Sequence, residues 1–199
     1  PIETLKEALH ESEFLGYVST QSPAQVKGVI VGKPKDDRLV STVTPETQGD
    51  MLRVVLDQSP FYGESGGQVG DTGKLQTSSG SFEVTDTQKS GDLIVHYGRM
   101  LSGTIKEGET VQALVDENRR NAIRRAHSAT HILHHALQTK LGKHAQQQGS
   151  KVDADWLRFD FSHQDSLSDD DLKEIERLAN ARISQAATIQ WETVPLALS

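Results

Sequence analysis

The sequence predicts an α+β protein: a small antiparallel β-barrel domain followed by an α/β domain whose sheet stops short of completion. Three observations predict it. Between Val26 and Val115, short runs of strand character recur (VKGVIVG, MLRVVLD, SFEVTDT, DLIVHYG and TVQALV), punctuated by Gly, Asp and Ser clusters. From Asn118 the pattern turns helical, with neither Gly nor Pro before Gly142. A strand, a second helix and the start of another strand then follow. These shifts set the expected boundaries: residues 1–25 as the end of an upstream helical region, 26–117 as the barrel, and 118–199 as the α/β domain.

Residues 1–14, PIETLKEALHESEF, read as a helix end, too charged for the apolar heart of a signal peptide. KPKDDR and TPETQGD read as hairpin tips or loops. In the second half, Gly142 is a natural C-cap for the long helix. WLRFDF alternates, with Leu157, Phe159 and Phe161 on one face and Arg158 and Asp160 on the other. SLSDDDLKEIERLANARISQA is a helix that Ser168 can N-cap with Asp171 three residues on, its first turn crowded with acids where the helix dipole favours them. Its expected buried stripe is Leu172, Ile175, Leu178, Ala179 and Ile183. IQWETVPL begins the last strand.

Composition narrows the class. The chain has 199 residues and no cysteine, which excludes a disulfide scaffold and fits a cytoplasmic protein. No apolar run approaches the roughly 18 residues of a membrane span. The net charge of −7 argues against a general nucleic-acid coat. Residues 119–158, however, hold Arg119, Arg120, Arg124, Arg125, Lys140, Lys143, Lys151 and Arg158 against only Asp153 and Asp155. Such a basic island in an acidic chain suits a phosphate backbone. A solvated helix start with ordinary arginines is the alternative.

Two motifs carry chemistry. RRAHSATHILHHAL places His127 and His131 four residues apart, one above the other on a helical face, where two imidazoles can converge on one metal ion. At 100° per residue, His134 and His135 fall within about 80° of His127. Ser128 stands where a metalloprotease helix has its glutamate, so no carboxylate base is built in. A surface or hydrogen-bonded core role for the histidines is the alternative. The second motif, FYGESGGQVGDTG (61–73), has five glycines. It lacks the Lys-Ser/Thr of a phosphate loop and does not open a helix, so composition alone favours a structural hairpin.

The two motifs, followed in order by QQGSKV and LRFDFSH, resemble the editing region of the alanyl-tRNA synthetase family, and the resemblance runs from Phe14 to the end of the chain. Threonyl-tRNA synthetase editing domains share the His-x-x-x-His helix without this glycine motif, whereas free-standing alanyl-tRNA editing proteins share both. The implied fold is a barrel followed by the editing-domain type common to threonyl- and alanyl-tRNA synthetases, and the implied activity is hydrolysis of tRNA(Ala) mischarged with serine or glycine. The resemblance implies zinc held by His127 and His131 plus a later Cys-x-x-x-His pair that this sequence does not reach, so the chain reads as a segment of a longer protein. It implies Gln147 beside the scissile ester and Gly66 and Gly67 in substrate discrimination. Arg124, Arg125, Lys140 and Lys143 are the expected acceptor-stem contacts. ATP would serve only the ligation module upstream, absent here. A free-standing editing hydrolase, a degenerate homologue without metal and a non-catalytic tRNA-binding module are the alternatives.

Overall fold

The computed structural model describes residues 1–47 and 51–189. The strand expected from IQWETVPL, beyond Ile189, and the last three residues of TPETQGD lie outside that range. Two compact units emerge: Pro1–His127 with Ser150–Arg158, and Ser128–Gly149 with Phe159 onward. The division falls inside the long helix.

The first unit is a closed barrel of six antiparallel strands: β1 (Gln21–Val31), β2 (Leu52–Leu56), β3 (Gly73–Gln76), β4 (Ser81–Ser90), β5 (Leu93–Ser102) and β6 (Thr110–Val115). Around the barrel the order is β6-β3-β4-β5-β2-β1, and β1 closes it by pairing with β6, Thr110 opposite Gln25 and Leu114 opposite Gln21. Closure leaves no long unpaired edge among these strands. A short strand, Arg38–Val40, hangs on the end of β1.

Side-chain alternation explains the core. In β2, Leu52, Val54 and Leu56 point inward, and Val55 points outward. In β1 a bulge between Val26 and Gly28 reverses the parity, so that Ala24 and Val26 face in before it and Val29 and Val31 after it. The inner cluster also holds Phe61, Leu75, Phe82, Met100, Ile105 and Val111. The outward residues Ile30, Val55, Leu93 and Val95 are covered by helix α1 (Ile2–Leu9) through Leu5, flanked by Ile2 and Leu9. Both faces of β1 from Gly28 to Val31 and of β2 are therefore buried, and those two stretches read as largely apolar runs.

Here the N-terminal expectation needs correction. The helix ends at Leu9, with His10 turned to φ 63°, and Glu13–Phe14 forms a short strand parallel to Gln58–Ser59. Ser12 ties this stretch down by donating its hydroxyl to Leu56 O at 2.8 Å. The barrel itself begins at Gln21, five residues before Val26. Pro23 hides the beginning from a strand reading, since proline is rare in paired strands.

Helix α2 (Glu117–Leu141) runs through both units. Asp116 accepts the Arg119 N–H at 3.0 Å at its start, and Gly142 at φ 111° ends it. Strands β7 (Gln147–Val152) and β8 (Leu157–Phe161) pair in a two-stranded sheet. The core of the second unit is small: Ala136, Leu137, Ala145 and Ile175 are buried, with Leu133, Phe159, Phe161 and Leu178 packed around them. Helix α3 (Asp169–Ser184) begins with the expected capping box between Ser168 and Asp171. The Ser168 hydrogen bonds, with Lys140 at 3.1 Å, hold the Asp171 carboxyl down at about 2. Its expected buried stripe is only partly realised: Ile175 is buried, but Leu172 and Ile183 are 52% and 54% exposed. The stripe is longer than the small core that can cover it. Among the described residues, no helix is long and apolar enough to cross a membrane.

Candidate functional site

The glycine motif folds as a tight hairpin. Ser65 and Gln68 exchange both backbone hydrogen bonds, at 3.2 and 3.0 Å, around Gly66 (φ 58°) and Gly67 (φ 83°). Positive φ at both central residues is what a two-residue type I′ turn requires. At the hairpin's root, Tyr62 donates its N–H to Asp71 Oδ2 at 2.7 Å, and Asp71 donates its N–H to Tyr62 O at 2.9 Å. Its far strand pairs with β7, through Val69 N to Val152 O at 3.1 Å and Val152 N to Gly67 O at 2.8 Å.

The start of α2 grips this hairpin at two points. Arg120, 5% exposed, donates to the Asp71 carboxylate, which is 1% exposed, and also to Pro60 O at 2.7 Å and Gly16 O at 3.0 Å. Arg119 donates to Gly70 O at 2.9 Å and pairs with Asp153 at 3.2 Å. Two helical turns on, His127 Nδ1 lies 2.7 Å from Gln68 Oε1. Seven helical residues and three extended residues each span about 10 Å. The 120-to-127 step on the helix thus matches the 71-to-68 step on the hairpin.

That registry accounts for two glycines differently. A Cβ on Gly67 would sit 2.5 Å from Ser150 O and 2.6 Å from Ser150 Oγ, whereas one on Gly66 would meet nothing within 4 Å. We expect Gly67→Ala to cost about 2 kcal/mol through left-handed strain and overpacking against backbone. Gly66→Asn creates the Asn-Gly pair that type I′ turns favour and should change stability by no more than about 0.5 kcal/mol. Urea denaturation of the two variants checks the contrast; equal losses would mean that the turn geometry is misread.

The remaining expected site residues fall as follows. Arg124 and Arg125 are exposed on α2, His127 is half-buried in the first unit and His131 is exposed. Lys140, Lys143 and Gln147 belong to the second unit and are all exposed, with Lys140 engaged by Asp171. His134 is not a free surface imidazole: its Nε2 donates to Ala145 O at 3.2 Å, and its ring packs on Phe159 at 5.1 Å. Of the basic island, Arg119 and Arg120 are committed to the hairpin and Lys151 pairs with Glu64 at 2.7 Å. Lys151 and Gln88 hold the Glu64 carboxyl below its ordinary range.

Sequence reading passed over two residues. Gln68 is one; its place directly after the Gly-Gly turn was the available signal. His96 is the other, fully buried with its Nδ1 donating to Val54 O at 2.9 Å and its Nε2 accepting from Ser59 Oγ at 2.7 Å. Among the described residues, no group of three or more His, Cys, Asp or Glu side chains is placed to hold a metal ion. The fit to zinc rests on chemistry. A histidine whose second nitrogen is backed by a carbonyl oxygen has the arrangement usual for metal ligands, and His127 has it through Gln68. His127 stands in the first unit and His131 in the second.

A family model described as class II (A) tRNA synthetases matches residues 1–119. The alanine–tRNA ligase of Rhodopirellula baltica is 51% identical over 99% of this chain and 21% of its own length. That of Dichelobacter nodosus is 44% identical over 93% of this chain and 20% of its own, and that of Gluconobacter oxydans 47% over 90% and 20%. The chain spans about a fifth of the length of these curated relatives. With its barrel, its glycine hairpin and matches of this extent, the chain belongs to the class II (A) tRNA synthetases, in the family of the alanine–tRNA ligases.

Proposed function

We propose that this segment serves the proofreading part of an alanine–tRNA ligase, a cytoplasmic enzyme that joins alanine to its tRNA with ATP, and that its share is hydrolysis of tRNA(Ala) mischarged with serine or glycine. The observation that carries the reading is the hydrogen bond between His127 and Gln68, which joins the two motifs of the editing resemblance at one place. Proofreading is required on physical grounds, because a difference the size of a methylene is worth only about 1–3 kcal/mol in a binding pocket. A second, hydrolytic site multiplies the discrimination.

The reaction is attack of water on the ester between the amino acid and the terminal ribose. Zinc, when bound, supplies Lewis-acid chemistry there, and His127 and His131 are the residues that would hold it. The rest is the work of the chain. Gly66, where a side chain would meet nothing within 4 Å, presents backbone that a small aminoacyl group can approach closely, and Gly67 holds the turn that presents it. Gln147 orients the ester through its amide. Arg124, Arg125 and Lys143 meet the acceptor-stem phosphates, and Lys140 joins them by exchanging Asp171 for phosphate, which makes binding fall steeply with salt.

Deacylation of seryl-tRNA(Ala) tests the reading, compared between this 199-residue chain and a longer alanine–tRNA ligase chain reaching the Cys-x-x-x-His pair. With two ligands, zinc binds the shorter chain weakly and hydrolysis is slow; the longer chain is fast, and His127→Ala there removes zinc and hydrolysis together. Equal rates for the two lengths would defeat the two-ligand argument. No hydrolysis by either would leave a tRNA-binding module in place of a proofreading one.

A further inference from the structure

We propose that Gln68 is a positioning residue that fixes the tautomer of His127 and so decides which ring nitrogen the histidine presents to its ligand. Where zinc is concerned, this rests on the proofreading reading. A carboxamide oxygen accepts and cannot donate, so the 2.7 Å contact between Gln68 Oε1 and His127 Nδ1 puts the proton on Nδ1. A neutral ring then carries its lone pair on Nε2. Neutral histidine in water favours the reverse arrangement, so the tautomer is imposed by the hairpin.

The hairpin is built to impose it. Gln68 is 7% exposed, and its own backbone is locked to Ser65 by two hydrogen bonds. On either side, Gly67 O and Val69 N are both bonded to Val152, at 2.8 and 3.1 Å. On the helix, Arg120 anchors the same face as His127, seven residues earlier, against buried Asp71. Neither partner can move far without breaking backbone pairing or a buried ion pair. The side chain of Gln68 thus meets the imidazole from a fixed direction, and Nε2 is the nitrogen left with the lone pair. The reversed amide, with its NH2 toward Nδ1, would put the proton on Nε2 and offer a ligand no lone pair there.

The two assignments separate in two-bond ¹H–¹⁵N spectra of the histidine rings of the labelled 199-residue chain near neutral pH, with His127 assigned through a His127→Gln variant. We expect His127 to carry its proton on Nδ1, Gln68→Leu to move it to Nε2, and Gln68→Glu, which keeps an acceptor, to restore it. Gln68→Asn, whose shorter side chain withdraws the oxygen, gives the same shift as Leu should the Leu variant fail to fold. Zinc alone, titrated against a chromophoric chelator, should bind at least about ten-fold more weakly to the Leu or Asn variant and recover with Glu. A wild-type proton on Nε2, or a tautomer indifferent to Gln68, overturns the proposal. A tautomer that follows Gln68, when even the longer alanine–tRNA ligase chain reaching the Cys-x-x-x-His pair takes up no zinc, sustains the positioning role and removes the zinc reading instead.

Discussion

Replacing Arg120 with methionine should destabilise the protein by about 3–5 kcal/mol, the cost of leaving a buried carboxylate without its counter-charge. Asp71 is 1% exposed, and two guanidinium nitrogens contact its carboxylate, with Arg120 Nε at 3.0 and 2.9 Å from its two oxygens. The same guanidinium satisfies Pro60 O and Gly16 O, so its loss strands two carbonyls as well. Against a typical stability of about 5–15 kcal/mol, that is a large fraction of the total. Asp71→Asn combined with Arg120→Met removes both charges, and the amide oxygen can still accept the Tyr62 N–H. The double variant should therefore regain more than half of the loss. A denaturant midpoint series gives both numbers, and a single-variant loss below about 1 kcal/mol would show that the pair is solvated rather than buried.

The consequence reaches the candidate site. Arg120 and His127 share one helical face, and the hairpin is their common partner. Loosening the Asp71 anchor should weaken the Gln68 contact with it. Stability and site geometry are linked here through one hairpin of two glycines.

The barrel was legible where its strands alternate or run apolar, as in the Val26–Val31, Leu52–Leu56 and Thr110–Val115 segments, because burial leaves a period that a sequence carries openly. The capping box at Ser168 was legible for a similar reason: it is local, three residues from end to end. Non-local pairing was not. Arg119 and Arg120 count as surface charge in any sequence tally, but Gly70 and Asp71, 49 residues away in sequence, half-bury the first and take the second out of solvent. Strand β7 was missed because Gln147, Gln148 and Gly149 carry no strand propensity; it exists because Val152 pairs with the hairpin and Leu157–Phe161 lies beside it. In the site, His127 and the glycines stood out by spacing and composition. Gln68 did not, since a polar residue in a turn announces nothing until the helix opposite is in place. The roles proposed for His131, Gln147 and the basic residues rest on the family resemblance.

His96 should make the protein acid-labile in a window where few other groups act. Burial with no exposed ring surface pushes its pKa down to about 4 from an ordinary value of 6.5, against the opposing pull of the hydrogen bond to Val54 O. The unfolded chain then binds a proton that the folded chain refuses, between about pH 6.5 and 4. Its stabilising contribution is whole above pH 6.5 and shrinks as pH falls through the window, by about 3 kcal/mol in all. The carboxylates with depressed values, Asp37, Glu46, Glu64, Asp171 and Glu174, start from 3.8 or 4.5 and lose stability in the same direction but at lower pH. Between pH 6.5 and 5 the slope therefore distinguishes His96 from them. His96→Gln keeps an amide that can serve Val54 O or Ser59 but cannot take up a proton, so it should lower stability at pH 7 and flatten the dependence over that interval. Unfolding free energies measured at half-unit steps decide it, and an unchanged slope in the variant would assign the acid sensitivity to other histidines. The effect bears on the site, because Ser59 Oγ, hydrogen-bonded to His96, also accepts the Phe61 N–H at the entry to the glycine hairpin. Protonating His96 should expel the ring from the barrel and release that entry, so the hairpin that holds His127 loosens as the barrel does.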